Sequence, residues 1–371
     1  MKLPYWLTRP LTTAIFCTLS LTTMATVHAA TTMPDETALH DSTWLQWPHQ
    51  YTYGLSYRNR LDATWVAMTK ALVQSEKVRI VVYNDTEKKR IQSLLALAGV
   101  PLNSVSFLIS KTNDVWVRDN GPIFVKDDAG RLQVTDWGFN GWGGDTPYTL
   151  DNTVPIAAAQ QLGLPRIDLN KIVLEGGAFE VDGQGTFLAT RSAILEAKRN
   201  PNLSQAALEQ YLATHLGVSK FIWLEGAPGG KEDITDTHID GFARFGTPET
   251  LVTMSTSDLQ YWGISTADIN KIASASNVYG VPYQKVILPL TTKNVVTTYG
   301  NNLGYKGSYV NYYVGNSVVL VPEYKDSNDS VARNILQALY PTRSIVGIDV
   351  RNLYANGGMV HCVTQQQPFA N

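Results

Sequence analysis

Cysteine is scarce in this sequence: Cys17 and Cys362 are the only two among 371 residues, so no disulfide framework holds the fold. An excess of charge of one sign is lacking too. Thirty Lys and Arg stand against 32 Asp and Glu, for a formal net charge of -2, and the basic residues form no dense block. That leaves no electrostatic footprint for nucleic acid. Walker A loops, dinucleotide fingerprints and zinc-finger spacings are absent. With 44% hydrophobic and 17% charged residues, the chain can bury a large core without structural metals.

Long hydrophobic runs are missing as well. The most apolar stretch, from Leu11 to Met24, is shorter than the roughly 20 residues a spanning helix needs. Lys2 and Arg9 accompany it, and Val27-His28-Ala29 fits a small-residue cleavage site, so residues 1–29 are expected to be a signal peptide. A permanent membrane anchor is the alternative. Cleavage after Ala29 predicts a periplasmic or secreted protein with no stable membrane insertion. It removes two basic residues and no acidic ones, taking the formal charge from -2 to -4, and leaves Cys362 as the sole cysteine. A lone thiol in an exported protein is either a liability or a working nucleophile.

No Pro/Ser-rich linker or low-complexity tract divides residues 30–371, which predicts a single domain. Strand-like runs at Val78 to Tyr83, Val105 to Ile109, Phe221 to Leu224 and Val286 to Leu288 alternate with helical patterns at Thr86 to Ala98, Ser204 to Leu216 and Ser330 to Leu339. The class is α/β. Turn signals at 127–130, 182–185 and Gly315-Asn316 predict hairpins, and therefore mixed strand pairing.

Four segments concentrate polar, aromatic and glycine residues: 113–124, 174–177, 236–245 and 356–368. On a strand, His238 and Asp240 would share one face and form an acid/base pair; the plainer alternative is a buried histidine satisfied by a carboxylate. Arg118 and Asp119 could be a structural ion pair, and Glu175 an acid in a tight turn before Gly176-Gly177. Gly357 and Gly358 let backbone approach a ligand closely ahead of Cys362. If that stretch is extended, His361 points away from the thiol, whose base must come from elsewhere.

Taken together, Asn113-Asp114-x-Trp116-x-Arg118-Asp119-x-Gly121-Pro122, Leu174-Glu175-Gly176-Gly177, His238-Ile239-Asp240 and Gly357-Gly358-x-x-His361-Cys362-x-Thr364-Gln365-Gln366-x-Pro368 resemble the agmatine deiminase family, which includes Porphyromonas-type peptidylarginine deiminases. The resemblance begins near Met33-Pro34 and covers nearly all of the mature chain. It implies a five-bladed α/β propeller of the pentein kind with the site in a central channel. It also implies Cys362 as nucleophile, His238 as general acid/base, Asp119 and Asp240 as guanidinium-binding carboxylates, Glu175 and Trp116 as supporting and lining residues, and Gly358 beside the substrate. Neither metal nor cofactor is implied.

The reaction expected from this resemblance converts agmatine to N-carbamoylputrescine and ammonia, a step towards putrescine. Deimination of peptidyl-arginine is the alternative, which the export signal keeps in play. Lesser alternatives are a metallohydrolase using His238, Asp240 and Cys362, or an inactive guanidine-binding protein. Asn356, Thr237 and Met359 depart from the family pattern, where glycine, glycine and a polar residue are usual, and these departures bear on substrate fit more than on reaction type.

Overall fold

The computed structural model describes residues 31–227 and 233–370, so the expected signal peptide lies outside the described residues. The described strands form five small sheets. In the first, β1 (His40–Gln46) lies between β2 (Lys77–Val82), which also pairs with β3 (Val105–Ile109), and a strand from the far end of the chain, Gln365–Pro368. The other four sheets follow in chain order. They are β4 (Ile123–Lys126), β5 (Leu132–Gly138) and β6 (Arg166–Val173), then β7 (Phe179–Val181), β8 (Thr186–Thr190) and β9 (Lys220–Leu224). Next come β10 (Ala243–Thr247), β11 (Thr250–Met254) and β12 (Gln284–Leu288), then β13 (Tyr313–Val314), β14 (Val318–Glu323) and β15 (Ser344–Asp349), with Gln365–Pro368 as β16.

Each of these four sheets repeats one pattern, an antiparallel pair followed by a parallel pair. The three expected hairpin turns at 127–130, 182–185 and 315–316 each join such an antiparallel pair. Parallel partners cannot be joined by a tight turn, so a helix crosses over between them. Gln205–Leu216 illustrates how the sequence builds one. The Ser204 side chain accepts the Ala207 N–H as N-cap, Leu208, Leu212 and Leu216 bury one stripe, and Gly217 ends the helix at φ 71. A cap of this kind stabilises a helix by about 1 kcal/mol, and a left-handed C-terminal residue favours glycine because no Cβ is strained.

The arrangement of sheets positions the chemistry. Four of the connections that leave the last strand of one sheet and enter the first strand of another carry the four polar segments: β3 to β4 carries 113–122, β6 to β7 carries 174–178, β9 to β10 carries 236–242, and β15 to β16 carries 350–364. The remaining connection, β12 to β13, brings in Asn311. Loops at strand ends can hold reactive side chains while the sheets behind them keep their apolar faces packed.

Candidate active site

Asp119 lies in the single helical turn Val117–Asn120, next to a buried Trp116. The tryptophan ring lies over Gly358, where a Cβ would collide with it, and meets Trp142 edge-on with ring centroids 6.5 Å apart. Trp142 in turn donates its indole N–H to Asp119 Oδ2 at 3.0 Å, and the Gly177 N–H donates to Asp119 Oδ1 at 3.0 Å. These two donors hold the carboxylate in one orientation.

The local conformation around His238 and Cys362 differs from expectation. His238 and Asp240 are not on a strand: Ile239–Gly241 is a short 3-10 turn with His238 just before it. Cys362 is likewise in a 3-10 turn, His361–Val363, rather than on a strand. The side chains nevertheless converge. A Cβ on Gly177 would lie 2.8 Å from Asp119 Oδ1, 2.8 Å from His238 Nδ1 and 3.0 Å from Asp240 Oδ2. Cys362 Sγ is 3.9 Å from Asp240 Oδ2 and 3.5 Å from Asn311 Oδ1, and it keeps partial solvent exposure while its neighbours are buried.

His238 is oriented through its far side. Its Nε2 is 2.9 Å from Glu175 Oε2, and Glu175 accepts from Arg199 Nε at 2.9 and 3.0 Å, with Arg199 also bonded to Asp236. Glu175 is therefore more than an acid in a turn. Its buried side chain joins a buried arginine to the histidine and leaves His238 Nδ1 facing Asp119, 3.7 Å away. Arg118 does not pair with Asp119; its guanidinium meets Glu36 at 3.3 Å and Gln366 at 2.8 Å.

The charges shift one another strongly. Burial would lower the His238 pKa, but the Asp119 charge, the Glu175 hydrogen bond and Asp240 outweigh it and push it up to about 9. Burial, reinforced by Glu175 and Asp240 against the pull of His238, raises Asp119 to about 6. Burial would also raise Asp240, yet its hydrogen bond to His361 and the charges of His361 and His238 hold it below the usual carboxylate range. Burial, followed by the charges of Asp240 and Asp119, pushes the Cys362 thiol well above its ordinary value.

Among the described residues, no group of three or more His, Cys, Asp and Glu side chains is disposed to hold a metal ion. All seven site residues expected from the sequence lie in or beside this cluster. Glu36, Trp142, Arg199, Asn311 and the inward-facing His361 were missed, because each acts through a partner far away in sequence. The sequence signals for Glu36 and Arg199 were that the family resemblance begins near Met33-Pro34 and also runs through Arg199-Asn200-Pro201, without giving either residue a role.

The sequence model of the Porphyromonas-type peptidyl-arginine deiminases matches residues 32–368. The chain is 32% identical to the agmatine deiminase of Pseudomonas syringae pathovar tomato and 31% identical to that of Pseudomonas fluorescens, each alignment covering 91% of this chain and 95% of the relative. The solved structure of the agmatine deiminase of Enterococcus faecalis, described as catalysing its reaction, superposes with a TM-score of 0.79 at 29% identity, over 92% of this chain and 97% of that one. The fold is thus the mixed α/β fold of these enzymes. With a family match across almost the whole described chain and relatives above 30% identity over nine-tenths of its length, the chain belongs to the Porphyromonas-type peptidyl-arginine deiminase family, whose members are hydrolases acting on C–N bonds.

Proposed function

We propose that this protein deiminates agmatine through a covalent intermediate on Cys362. One observation carries the proposal: a thiol 3.9 Å from Asp240, one of two buried carboxylates, with a histidine whose Nδ1 faces the other. A guanidinium is planar and permanently cationic, and two carboxylates grip it bidentately while presenting its carbon to sulfur. Agmatine is favoured over peptidyl-arginine because relatives similar along nearly the whole chain are named for agmatine.

In the free enzyme the high thiol pKa and the high histidine pKa mean a neutral Cys362 and a protonated His238 at pH 7. The substrate changes this balance. Its positive charge between Asp119 and Asp240 offsets the two charges that hold the thiol protonated, so the thiolate forms as substrate binds and its proton leaves to solvent. Sulfur then adds to the guanidinium carbon. His238 Nδ1 gives its proton to the departing nitrogen, ammonia leaves, and a thiouronium remains on Cys362. The neutral His238 next takes a proton from water, whose oxygen attacks the same carbon. Collapse expels the thiolate and yields the ureido product. Glu175, held by Arg199, keeps Nε2 occupied so that Nδ1 does the proton transfer.

Purified protein offered agmatine, free arginine and an arginine-containing peptide should release ammonia and ureido product with agmatine preferred; no turnover of any guanidine would refute the reaction, and peptide preference would reassign the substrate. The pH profile follows from the same groups. Because a thiol proton must also leave on binding, kcat/KM should rise steeply up to about pH 6, where Asp119 becomes ionised and its grip forms, rise less steeply from there, and stop rising above about pH 9, where His238 loses the proton it must donate. A profile that rises monotonically through pH 9 would remove His238 as the acid.

Gly177 offers a steric test. A methyl there would intrude on Asp119, His238 and Asp240 together, and displacing reacting groups by about 1 Å costs on the order of 100-fold in rate. Gly177→Ala should therefore lose about that much kcat/KM. Unchanged kinetics would place the substrate elsewhere.

The five sheets, with the chain's last strand closing against its first, support reading the architecture as a five-bladed propeller in a single domain, with the four polar segments and Asn311 facing its centre.

A further inference from the structure

One buried group in the cluster has no part in the chemistry above. His361 adjoins the nucleophile in sequence, and its Nδ1 is 2.8 Å from Asp240 Oδ2 while its Nε2 is 2.8 Å from Glu36 Oε2. The far carboxylate is itself anchored. Glu36 meets Arg244 at 2.9 Å and Arg118 at 3.3 Å, and its other oxygen accepts the Val314 N–H at 2.8 Å. Arg244 also pairs with Glu180 at 2.7 Å, and Arg118 Nε donates to the His361 carbonyl at 3.3 Å. All of these side chains are buried. Tyr312 and Tyr313 lie against the same charges.

A neutral imidazole has one donor, and a carboxylate has only acceptors. Two carboxylates at 2.8 Å on opposite ring nitrogens are both satisfied only if both nitrogens donate. We propose that His361 is a positioning residue: an imidazolium that bridges Asp240 to Glu36, holds Asp240 ionised and aims it at the guanidinium, with Glu36 anchoring the far end of the bridge. Asp240 Oδ2, the oxygen that His361 holds, is also the one closest to Cys362 Sγ. The bridge therefore places a fixed positive charge behind the carboxylate that otherwise opposes the thiolate. Asp240 faces His361 on one side and His238, Asp119 and Cys362 on the other, and its depressed pKa has the sign this bridge requires.

This inference rests on the deiminase reading for its kinetic consequence but not for the bridge itself, so the test has two arms. In the first, nitrogen-15 histidine spectra of the wild-type protein at pH 7 should show His361 protonated on both ring nitrogens, with the resonances assigned by their loss in His361→Gln. A single ring proton on His361 would overturn the proposal whether or not agmatine is a substrate.

In the second arm, kcat/KM for agmatine is followed against pH in His361→Asn, His361→Gln and Glu36→Gln. The Asn amide replaces the Nδ1 donor to Asp240, and the Gln amide replaces only the Nε2 donor to Glu36. Without the bridge Asp240 joins Asp119 in taking up a proton, so the acid limb should move up by about one pH unit and steepen, since losing a close opposite charge typically shifts a carboxyl by 1 to 3 units. The shift should be larger in His361→Gln than in His361→Asn. Folded variants that lose only melting temperature, with the acid limb unmoved, would reduce His361 to a structural role and overturn the proposal. Should the wild-type protein turn over no guanidine, the deiminase reading fails, and the bridge is decided by the spectra alone.

Discussion

Cys362→Ala should bind agmatine and turn it over at least about 10,000-fold more slowly than the wild-type protein. Removing a covalent nucleophile leaves only binding and orientation, and such losses reach roughly a million-fold elsewhere. The carboxylates that grip the guanidinium are untouched, and the sulfur's side-chain contacts to Asp240 and Asn311 are long, so the fold has little to lose. The measurements are ureido product by colorimetry and agmatine affinity by calorimetry. Residual activity within about tenfold of wild type would show that water, not sulfur, attacks the guanidinium carbon. Lost affinity with a normal melting curve would instead show that the thiolate carries a large share of binding.

Asp119→Asn should cost on the order of 100- to 10,000-fold in kcat/KM, with much of the loss in KM. Truncating one charge of a buried ion pair typically costs about 3 to 5 kcal/mol, and roughly 1.4 kcal/mol corresponds to about tenfold. The acid limb near pH 6 should disappear with the group that titrates there. The fold should persist. The folded-state pKa of Asp119 lies above its unfolded value, so carrying it ionised at neutral pH costs the folded protein stability relative to the unfolded chain, and the neutral amide removes that cost while losing one of the two hydrogen bonds from Trp142 and Gly177. If the Asp119→Asn protein keeps near-normal KM and an intact acid limb, the guanidinium grip and the pH 6 titration belong to other groups.

The two carboxylates divide their work because their surroundings differ. Asp119 is raised by burial and by Glu175 and Asp240, whereas Asp240 is held low by its hydrogen bond and charge interaction with His361. One site thus keeps a permanently ionised anchor beside a carboxylate that responds to pH near 6. Arg199 plays the matching part behind His238. By engaging Glu175 through its Nε and also reaching Asp236, it ties the histidine to the residues just before the 3-10 turn that carries Asp240. Asp236 and Thr237 there adopt φ values of 58 and 70. Non-glycine residues in that region are strained, and the bonds from Arg199, Lys198, Ser192 and Thr190 hold the segment in place.

Much of this was legible from the residues alone. Apolar periodicity marked the strand Val105–Ile109 to the residue and the helix Gln205–Leu216 to within its cap, because burying one face imposes a repeat that sequence must show. Glycine-containing turns marked three hairpins because few residues adopt their dihedrals. The four polar segments and the family pattern singled out Cys362, His238, Asp119, Asp240, Glu175, Trp116 and Gly358, all of which meet at or beside one place.

Tertiary structure alone decided how they meet. A strand at His238 to Asp240 was the natural expectation from residues two apart, but the segment forms a 3-10 turn whose Asp240 N–H donates to the Gly177 carbonyl. The same change at His361–Val363 brings His361 to the carboxylate that also contacts Cys362, where an extended chain would have separated them. Glu36 lies 325 residues from His361, and Asn311 lies 51 from Cys362. Local patterning carries no information about such pairs, because it reports which face of an element is buried and not which distant charge is buried against it. The residue types determined the chemistry, and the order in which five sheets hand the chain to one another determined the distances and the pKa values at which it runs.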